Sequence, residues 1–276
     1  MTQIVRDLRR FFYIICIPVV LIPCKGYALD ITVGASTWYA WGSRYEDVQD
    51  YSIRNNNNYA FDPTLFYGPA LSIKFNNDFN LTFVYLYSKF NYRENVYSDI
   101  GGDFFVDAKI KRSDSDLALN YKLHDYFKVF AGAKYMTYKI KLSYDDYVEG
   151  HCDSQSKHTS IGPGLGISST YPVTDNIFIL GTISGFYLFS SGEKFEDNKI
   201  YDKGVPSSIT IGYNEYGINT TISVAYYIAQ ISTVISLGAR YQYFITDYYD
   251  YEPFLINSIK NKIYGITLTA TYTFSL

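Results

Sequence analysis

His158 and Ser160 are the residues of this sequence whose types and spacing come nearest to a catalytic pair. They stand two positions apart, so on a β-strand both side chains point to the same side. A histidine next to a serine can act as the general base that activates a serine nucleophile. No acidic residue is suitably placed in the sequence to orient this histidine, and a tripeptide is a weak signal. We therefore interpret the pair as a weak candidate for a hydrolase.

A second candidate group consists of charged residues. The alternating pattern of the predicted strands places their side chains on the faces that point towards a common interior. Charges in a medium of low dielectric constant need partners of opposite sign. We therefore predict a network of salt bridges that fills this interior, with a selective constriction or a ligand site as the alternative. The residues are Arg112, Asp114, Asp116, Lys134, Glu215 and Arg240.

Composition excludes some functions and favours others. The formal net charge of −3 gives no basic surface for nucleic acid. The 31 Tyr and 19 Phe suit β-strands and the boundary between membrane and water. Acidic clusters such as Asp145, Asp146 and Glu149 lack the spacing of a calcium loop. We expect no metal and no cofactor.

The first 28 residues have the pattern of a secretory signal peptide. Arg6, Arg9 and Arg10 precede the apolar run FFYIICIPVVLIP, and GYA supplies small residues up to Ala28. We predict cleavage after Ala28, which leaves residues 29–276 as a single domain. Cys152 would then be the one remaining cysteine, so the mature chain would have no internal disulfide.

Residues 29–276 alternate between apolar and polar side chains in segments separated by turns, which predicts strands. The last segment, ITLTATYTFSL, places Ile, Leu, Ala, Tyr and Phe on one face and Thr and Ser on the other. The segment IFILGTISGFYLF is apolar on both faces and does not assign clearly. The predicted strands are Leu29–Trp41, Phe61–Phe75, Phe79–Asn91, Asp107–Leu123, Tyr126–Ser143, His158–Tyr171, Asn176–Ser190, Tyr213–Ile228, Ile231–Thr246 and Lys262–Leu276.

The connections between these strands alternate between short turns and long polar loops. Short turns at one end, long loops at the other and an even number of strands are typical of a transmembrane barrel. An all-β, antiparallel, up-and-down barrel of about ten strands is therefore predicted. The long loops contain Tyr- and Asp-rich segments such as EDVQDY, YDDY and TDYYDYEP, which also suit a binding surface.

With these features the chain resembles small β-barrel proteins of the bacterial outer membrane. In that class the last strand typically ends in an alternating aromatic signature that the barrel assembly machinery reads. Tyr272 and Phe274 match it in character, whereas Leu276 stands where the class usually has Phe. The resemblance implies export, periplasmic chaperones and the assembly machinery as partners, and the lipid bilayer of the outer membrane as the location.

Two enzyme families of this kind of barrel offer further comparisons. Omptin proteases resemble the chain in size and strand number, but their Asp pairs and Asp–His couple have no counterpart here. Lipid A deacylases share the His-x-Ser spacing of His158 and Ser160, but the following residues IGPG differ and those barrels have eight strands. We therefore expect a narrow porin-like or structural barrel with a charged, largely packed lumen. The alternatives are a surface adhesin or ligand-binding barrel and, with less support, an outer-membrane hydrolase.

Overall fold

The computed structural model describes residues 30–48, 58–98, 102–146, 150–197, 207–248 and 256–275. The predicted signal peptide, much of the predicted long loops and Leu276 lie outside these ranges. The strands are β1 (Asp30–Val48), β2 (Asn58–Lys74), β3 (Phe79–Ser98), β4 (Gly102–His124), β5 (Phe127–Asp146), β6 (Gly150–Pro172), β7 (Ile177–Asp197), β8 (Ser207–Ile228), β9 (Thr233–Tyr248) and β10 (Ile256–Ser275). In this part of the chain no helix is both long and apolar enough to cross a membrane.

The ten strands form a closed antiparallel barrel in which each strand pairs with its neighbours in the sequence. β1 also pairs with β10, from Asp30 opposite Ser275 upwards, and this pairing closes the sheet. Closure pairs the backbone groups that an open sheet would leave exposed at its edges, which hydrocarbon does not tolerate. The predicted fold class, an all-β up-and-down barrel of ten strands, is confirmed.

The strands extend further than predicted at the end that carries the long connections. β6 begins at Gly150 instead of His158, and β3 ends at Ser98 instead of Asn91. The alternating pattern does not mark these strand ends, because polar residues occur there at successive positions that face both sides of the sheet. Strands of 16 to 23 residues exceed the 9–11 residues that cross a bilayer, so the barrel wall continues above the membrane.

The short turns lie at the same end of the barrel as Asp30 and Ser275, the first and last described residues. This end is the periplasmic one, because short turns are typical of the periplasmic side. Here the predicted start of strand nine at Ile231 is wrong. Ala229–Ile231 form a 3-10 turn, and Ser232 follows in the left-handed conformation with φ 46°. β9 consequently begins at Thr233.

The outer face of the barrel carries a band of exposed apolar side chains. Leu165, Ile222 and Leu237 expose between 58% and 68% of their surfaces, which water would disfavour but lipid accommodates. Aromatic residues lie towards both margins of the band. On the extracellular side the rings of Tyr187 and Tyr216 stack with centroids 6.3 Å apart, as in the aromatic girdles of membrane barrels.

The inner face encloses a hydrophobic cluster, which explains the apolar segment that the pattern did not assign. In β7, Phe186 and Leu188 are buried in the lumen, whereas Tyr187 and Phe189 are exposed on the outer face. Both faces of β7 are therefore apolar because one meets lipid and the other meets the core. The cluster comprises Trp38, Ala40, Phe66, Leu86, Phe90, Ile110, Met136, Phe186, Leu188, Phe244 and Ile263.

Candidate functional site

Arg112 and Asp114 form a fully buried ion pair in the lumen. They stand two residues apart on β4, so both side chains project inward. Nε of Arg112 donates to Oδ1 of Asp114 at 2.7 Å, and Nη2 donates to Oδ2 at 2.7 Å. Each residue is 1% exposed. This two-point geometry is the strongest form of an arginine–carboxylate contact and fixes the guanidinium plane.

The same guanidinium reaches the opposite wall of the barrel. Nη2 of Arg112 also donates to Oε1 of Gln242 on β9, at 2.9 Å. β4 and β9 are five strands apart in either direction around the ten-strand barrel. This hydrogen bond therefore crosses the lumen.

Aromatic rings from three parts of the wall surround the Arg112 guanidinium. Its Cζ lies 5.5 Å from the ring centroid of Phe66, 5.1 Å from that of Tyr138 and 5.6 Å from that of Phe244. A cation within about 6 Å of a ring face is attracted by the ring quadrupole. We call Arg112, Asp114, Gln242 and the hydrophobic cluster around them the plug.

Lys134 extends the charged network towards the periplasm. Its Nζ lies 2.9 Å and 3.2 Å from the two carboxylate oxygens of Asp116, and 3.8 Å from Oδ2 of Asp114. Lys134 is buried, whereas Asp116 is partly exposed. Four of the six predicted lumen charges therefore form one connected group.

The other two predicted lumen charges lie apart from this group. Nε of Arg240 donates to Oδ1 of Asn219 at 2.9 Å, and its guanidinium covers the ring of Trp38 at 4.6 Å. Glu215 is 3% exposed and accepts hydrogen bonds from Thr246 at 3.3 Å and Ser190 at 3.5 Å. Within the described residues, neither charge has a salt bridge.

The structure places His158 and Ser160, the weak catalytic candidates, on β6 without a hydrogen bond between them. Nδ1 of His158 lies 3.0 Å from the hydroxyl of Tyr213, and Nε2 lies 3.1 Å from Oγ of Ser156. Ser160 is fully buried, and its hydroxyl makes no hydrogen bond with His158. The arrangement thus lacks the contact through which a base activates its nucleophile.

A cavity of about 430 Å³ occupies the periplasmic half of the lumen, below the plug. Side chains from six strands line it, and they are mostly small or polar, such as Asn80, Asn120, Ser168 and Asn219. Asp116 and Lys134 form part of its wall. Within the described ranges, no three His, Cys, Asp or Glu side chains are grouped so that they could hold a metal ion.

Tyr272 and Phe274, the described members of the predicted assembly signal, project outward on β10. Their ring centroids lie 4.5 Å apart in an edge-to-face arrangement, and both side chains are exposed on the lipid face. Leu276, the Tyr- and Asp-rich tips of the long loops and the side chain of Cys152 lie outside the description.

Solved structures similar to this chain include proteins of bacterial outer membranes. The chain is similar to the outer membrane protease OmpT from Escherichia coli, with a TM-score of 0.57, 13% identity, and 90% of this chain and 97% of that chain covered. The translocator domain of the autotransporter NalP from Neisseria meningitidis matches with a TM-score of 0.43 and 8% identity over 98% and 97% of the two chains. A major outer membrane protein from Thermus thermophilus gives a TM-score of 0.40 and 14% identity over 90% and 100%. No family model and no curated protein matches the sequence.

The closed barrel, its apolar outer band and the similarity to OmpT define the class of the protein. It is a β-barrel of the bacterial outer membrane. At 13% identity the similarity extends to the fold, and the protease activity named for OmpT belongs to that protein.

Sequence reasoning missed several residues of the plug. Gln242, Phe66, Met136 and Phe244 are not among the residues that the sequence singles out as candidates. An apolar residue at an inward position of a membrane strand was the available signal, because a water-filled lumen would have polar residues there. Phe66 and Phe244 both occupy such positions, next to neighbours that face lipid.

Proposed function

We propose that the protein is a structural outer-membrane barrel whose lumen is closed by the plug. The observation that carries the proposal is the hydrogen bond from Arg112 to Gln242 across the lumen, within a ring of buried aromatic side chains. Ten-strand barrels enclose an interior little wider than that of eight-strand barrels, which side chains can fill. On this proposal the six predicted lumen charges hold the barrel together instead of selecting ions.

A narrow pore is the competing interpretation of the same residues. It would require a continuous water-filled path in which ion selectivity is set by Arg112, Asp114, Asp116, Lys134 and Arg240. The burial of Arg112 and Asp114 argues against such a path at the level of the plug. If the plug closes the lumen, the cavity below it is a vestibule that opens only towards the periplasm.

A second candidate function is binding at the cell surface. It is favoured by the length of the strands, since residues 150–160 of β6 continue above Ile161, the last apolar residue on its outer face. A closed barrel that projects beyond the membrane is a rigid support for loops that bind a ligand. We expect such binding to survive substitutions in the plug and to be lost when the fourth and fifth long loops are shortened.

Sided thiol labelling tests closure of the lumen. The reporter is Ser184→Cys, which lines the cavity below the plug, in a Cys152→Ser background. A small membrane-impermeant thiol reagent added outside cells should leave it unlabelled, and permeabilising the cells should allow labelling. Adding Arg112→Ala, Asp114→Ala and Phe244→Ala should permit labelling from outside. Equal labelling from outside with and without the plug would contradict the proposal.

A further inference from the structure

Four lysines form a row across the outer face of four neighbouring strands. In the register of the sheet Lys89 lies opposite Lys111, Lys111 opposite Lys139, and Lys139 opposite Lys157. Each side chain is exposed. One step higher, Lys109 lies opposite Lys141. We call these six residues the lysine row.

The lysine row lies directly above the apolar band. Lys89 follows the outward-facing Tyr87 by two residues on β3, and Lys139 follows the outward-facing Tyr135 by four residues on β5. Aromatic residues mark the level at which a membrane strand passes from hydrocarbon to headgroups. The ammonium groups therefore lie at the level of the headgroups of the outer leaflet.

This arrangement is unfavourable for the protein alone. Like charges directly opposite each other on adjacent strands destabilise a sheet. None of the six ammonium groups forms a salt bridge within the described residues. Among the described side chains on the outer face of β3 to β6, Asp107 is the one carboxylate, and it lies at the upper edge. On the neighbouring β7, the exposed Glu193 lies opposite Lys157, at one end of the row. A ligand that supplies negative charge would remove the repulsion.

The geometry limits what this ligand can be. Strands about 4.8 Å apart place the four lysines along roughly 14 Å of the barrel circumference, which is wide enough for several headgroups side by side. The row faces outward beside hydrocarbon, so its occupant must have an apolar part that extends down along the apolar band. Ammonium groups bind phosphate as point charges.

We propose that the lysine row binds the anionic phosphate groups of lipids in the outer leaflet. This site lies on the outer wall and does not depend on whether the lumen conducts. It would fix the height of the barrel in the membrane and collect a local shell of phosphate-bearing lipid on one side, from β3 to β6.

Lipid binding to the folded protein tests the proposal. The probe is phosphatidic acid, titrated into nanodiscs of phosphatidylcholine that contain the barrel, with bound lipid counted by native mass spectrometry. We expect Lys111→Gln with Lys139→Gln to weaken binding roughly 30-fold, since each basic residue near a membrane surface contributes a factor of about five to the affinity. Lys262→Gln is the matched control, because Lys262 is exposed two residues above Tyr264 on β10 without a lysine opposite it. It should leave the affinity unchanged.

Two results would overturn this proposal. One is an equal loss of affinity in the double variant and in the Lys262→Gln control, or no loss in either. The other is displacement of the lipid by inorganic phosphate alone, which would assign the site to a free anion instead of a lipid. A heat-modifiable band on a gel verifies that each variant is folded before binding is measured.

Discussion

Arg112 and Gln242 lie on opposite walls of the barrel, and a hydrogen bond of 2.9 Å joins them through the lumen. A side chain that starts on one wall and is held by the other leaves no room for a wide channel at that level. The contact also links β4 directly to β9, which share no backbone pairing. It thereby joins through the lumen two strands that the backbone pairing connects only around the circumference.

Removing one member of the buried ion pair should destabilise the barrel. Arg112→Met leaves Asp114 charged and buried, with Lys134 at 3.8 Å as its nearest cation. We expect the free energy of unfolding to fall by about 3 kcal/mol. Urea unfolding in lipid vesicles, followed by the mobility of folded and unfolded bands on a gel, measures it.

The matched double variant separates a lost charge partner from lost packing. Arg112→Met combined with Asp114→Leu removes both charges, so it should recover most of the stability lost in Arg112→Met. If single and double variants unfold at the same urea concentration, the charge pair is not what stabilises the plug.

Close approach of two backbones should make Gly162 intolerant of a side chain. A Cβ at Gly162 would collide with the carbonyl oxygen of Tyr187 on β7, whereas a Cβ at Gly164 would meet its nearest atom, the carbonyl oxygen of Gly185, at 3.4 Å. Gly162→Ala should therefore lower stability by about 1–3 kcal/mol. Gly164→Ala, on the same strand and face, should change it little, and similar unfolding curves for both variants would refute this reading of the backbone.

The periplasmic turn between β4 and β5 contains a titratable pair accessible to water. A hydrogen bond from Lys122 and its positive charge lower the pKa of Asp125, and the Nζ to Oδ1 distance is 2.7 Å. Because this pKa is depressed, its stabilising effect is present above the unfolded pKa and is lost as the pH falls through the folded one. NMR titration of the Asp125 carboxyl should give a midpoint below the ordinary aspartate value. Lys122→Gln should raise that midpoint, and an unmoved midpoint would exclude Lys122 as the cause.

The C-terminal strand provides a prediction about assembly. On the predicted assembly signal, Leu276→Phe supplies the Phe that the class usually has at this position and should raise the fraction of folded barrel in the outer membrane of cells. Phe274→Ala should lower it by removing one ring of the edge-to-face pair with Tyr272. Refolding in detergent, without the assembly machinery, is the control and should show a smaller difference. A uniform loss under both conditions would mean that Phe274 acts on stability instead of recognition.

The sequence predicted the barrel well because alternation of side chains along a strand is a local property. β4 illustrates this, since Arg112 and Asp114 share the inner face, whereas Leu119 and Tyr121 at the other alternate positions are exposed on the outer face. Contacts across the lumen are different, because the partner of Arg112 depends on the number of strands and their stagger. Gln242 is 130 residues away in the chain and could not be selected from other inward polar residues.

The extracellular strand ends and β7 show a second limit of sequence patterns. The period-two signal requires unlike solvents on the two faces. Towards the extracellular ends of the strands polar residues occupy both alternating positions, so the pattern fades although the pairing continues, as in β6 from Gly150 to Lys157. In β7 both faces are apolar, and only the closed structure distinguishes Phe186 in the lumen from Tyr187 on the lipid face.

Single-channel conductance of the refolded barrel in a planar bilayer tests closure of the lumen most directly. The wild-type protein, verified as folded by its heat-modifiable mobility, should give no steady current. The variant with Arg112→Ala, Asp114→Ala and Phe244→Ala should give salt-dependent steps in current. A steady wild-type conductance that changes when Asp114 is reversed in charge would contradict the packed plug and identify the lumen as a selective pore.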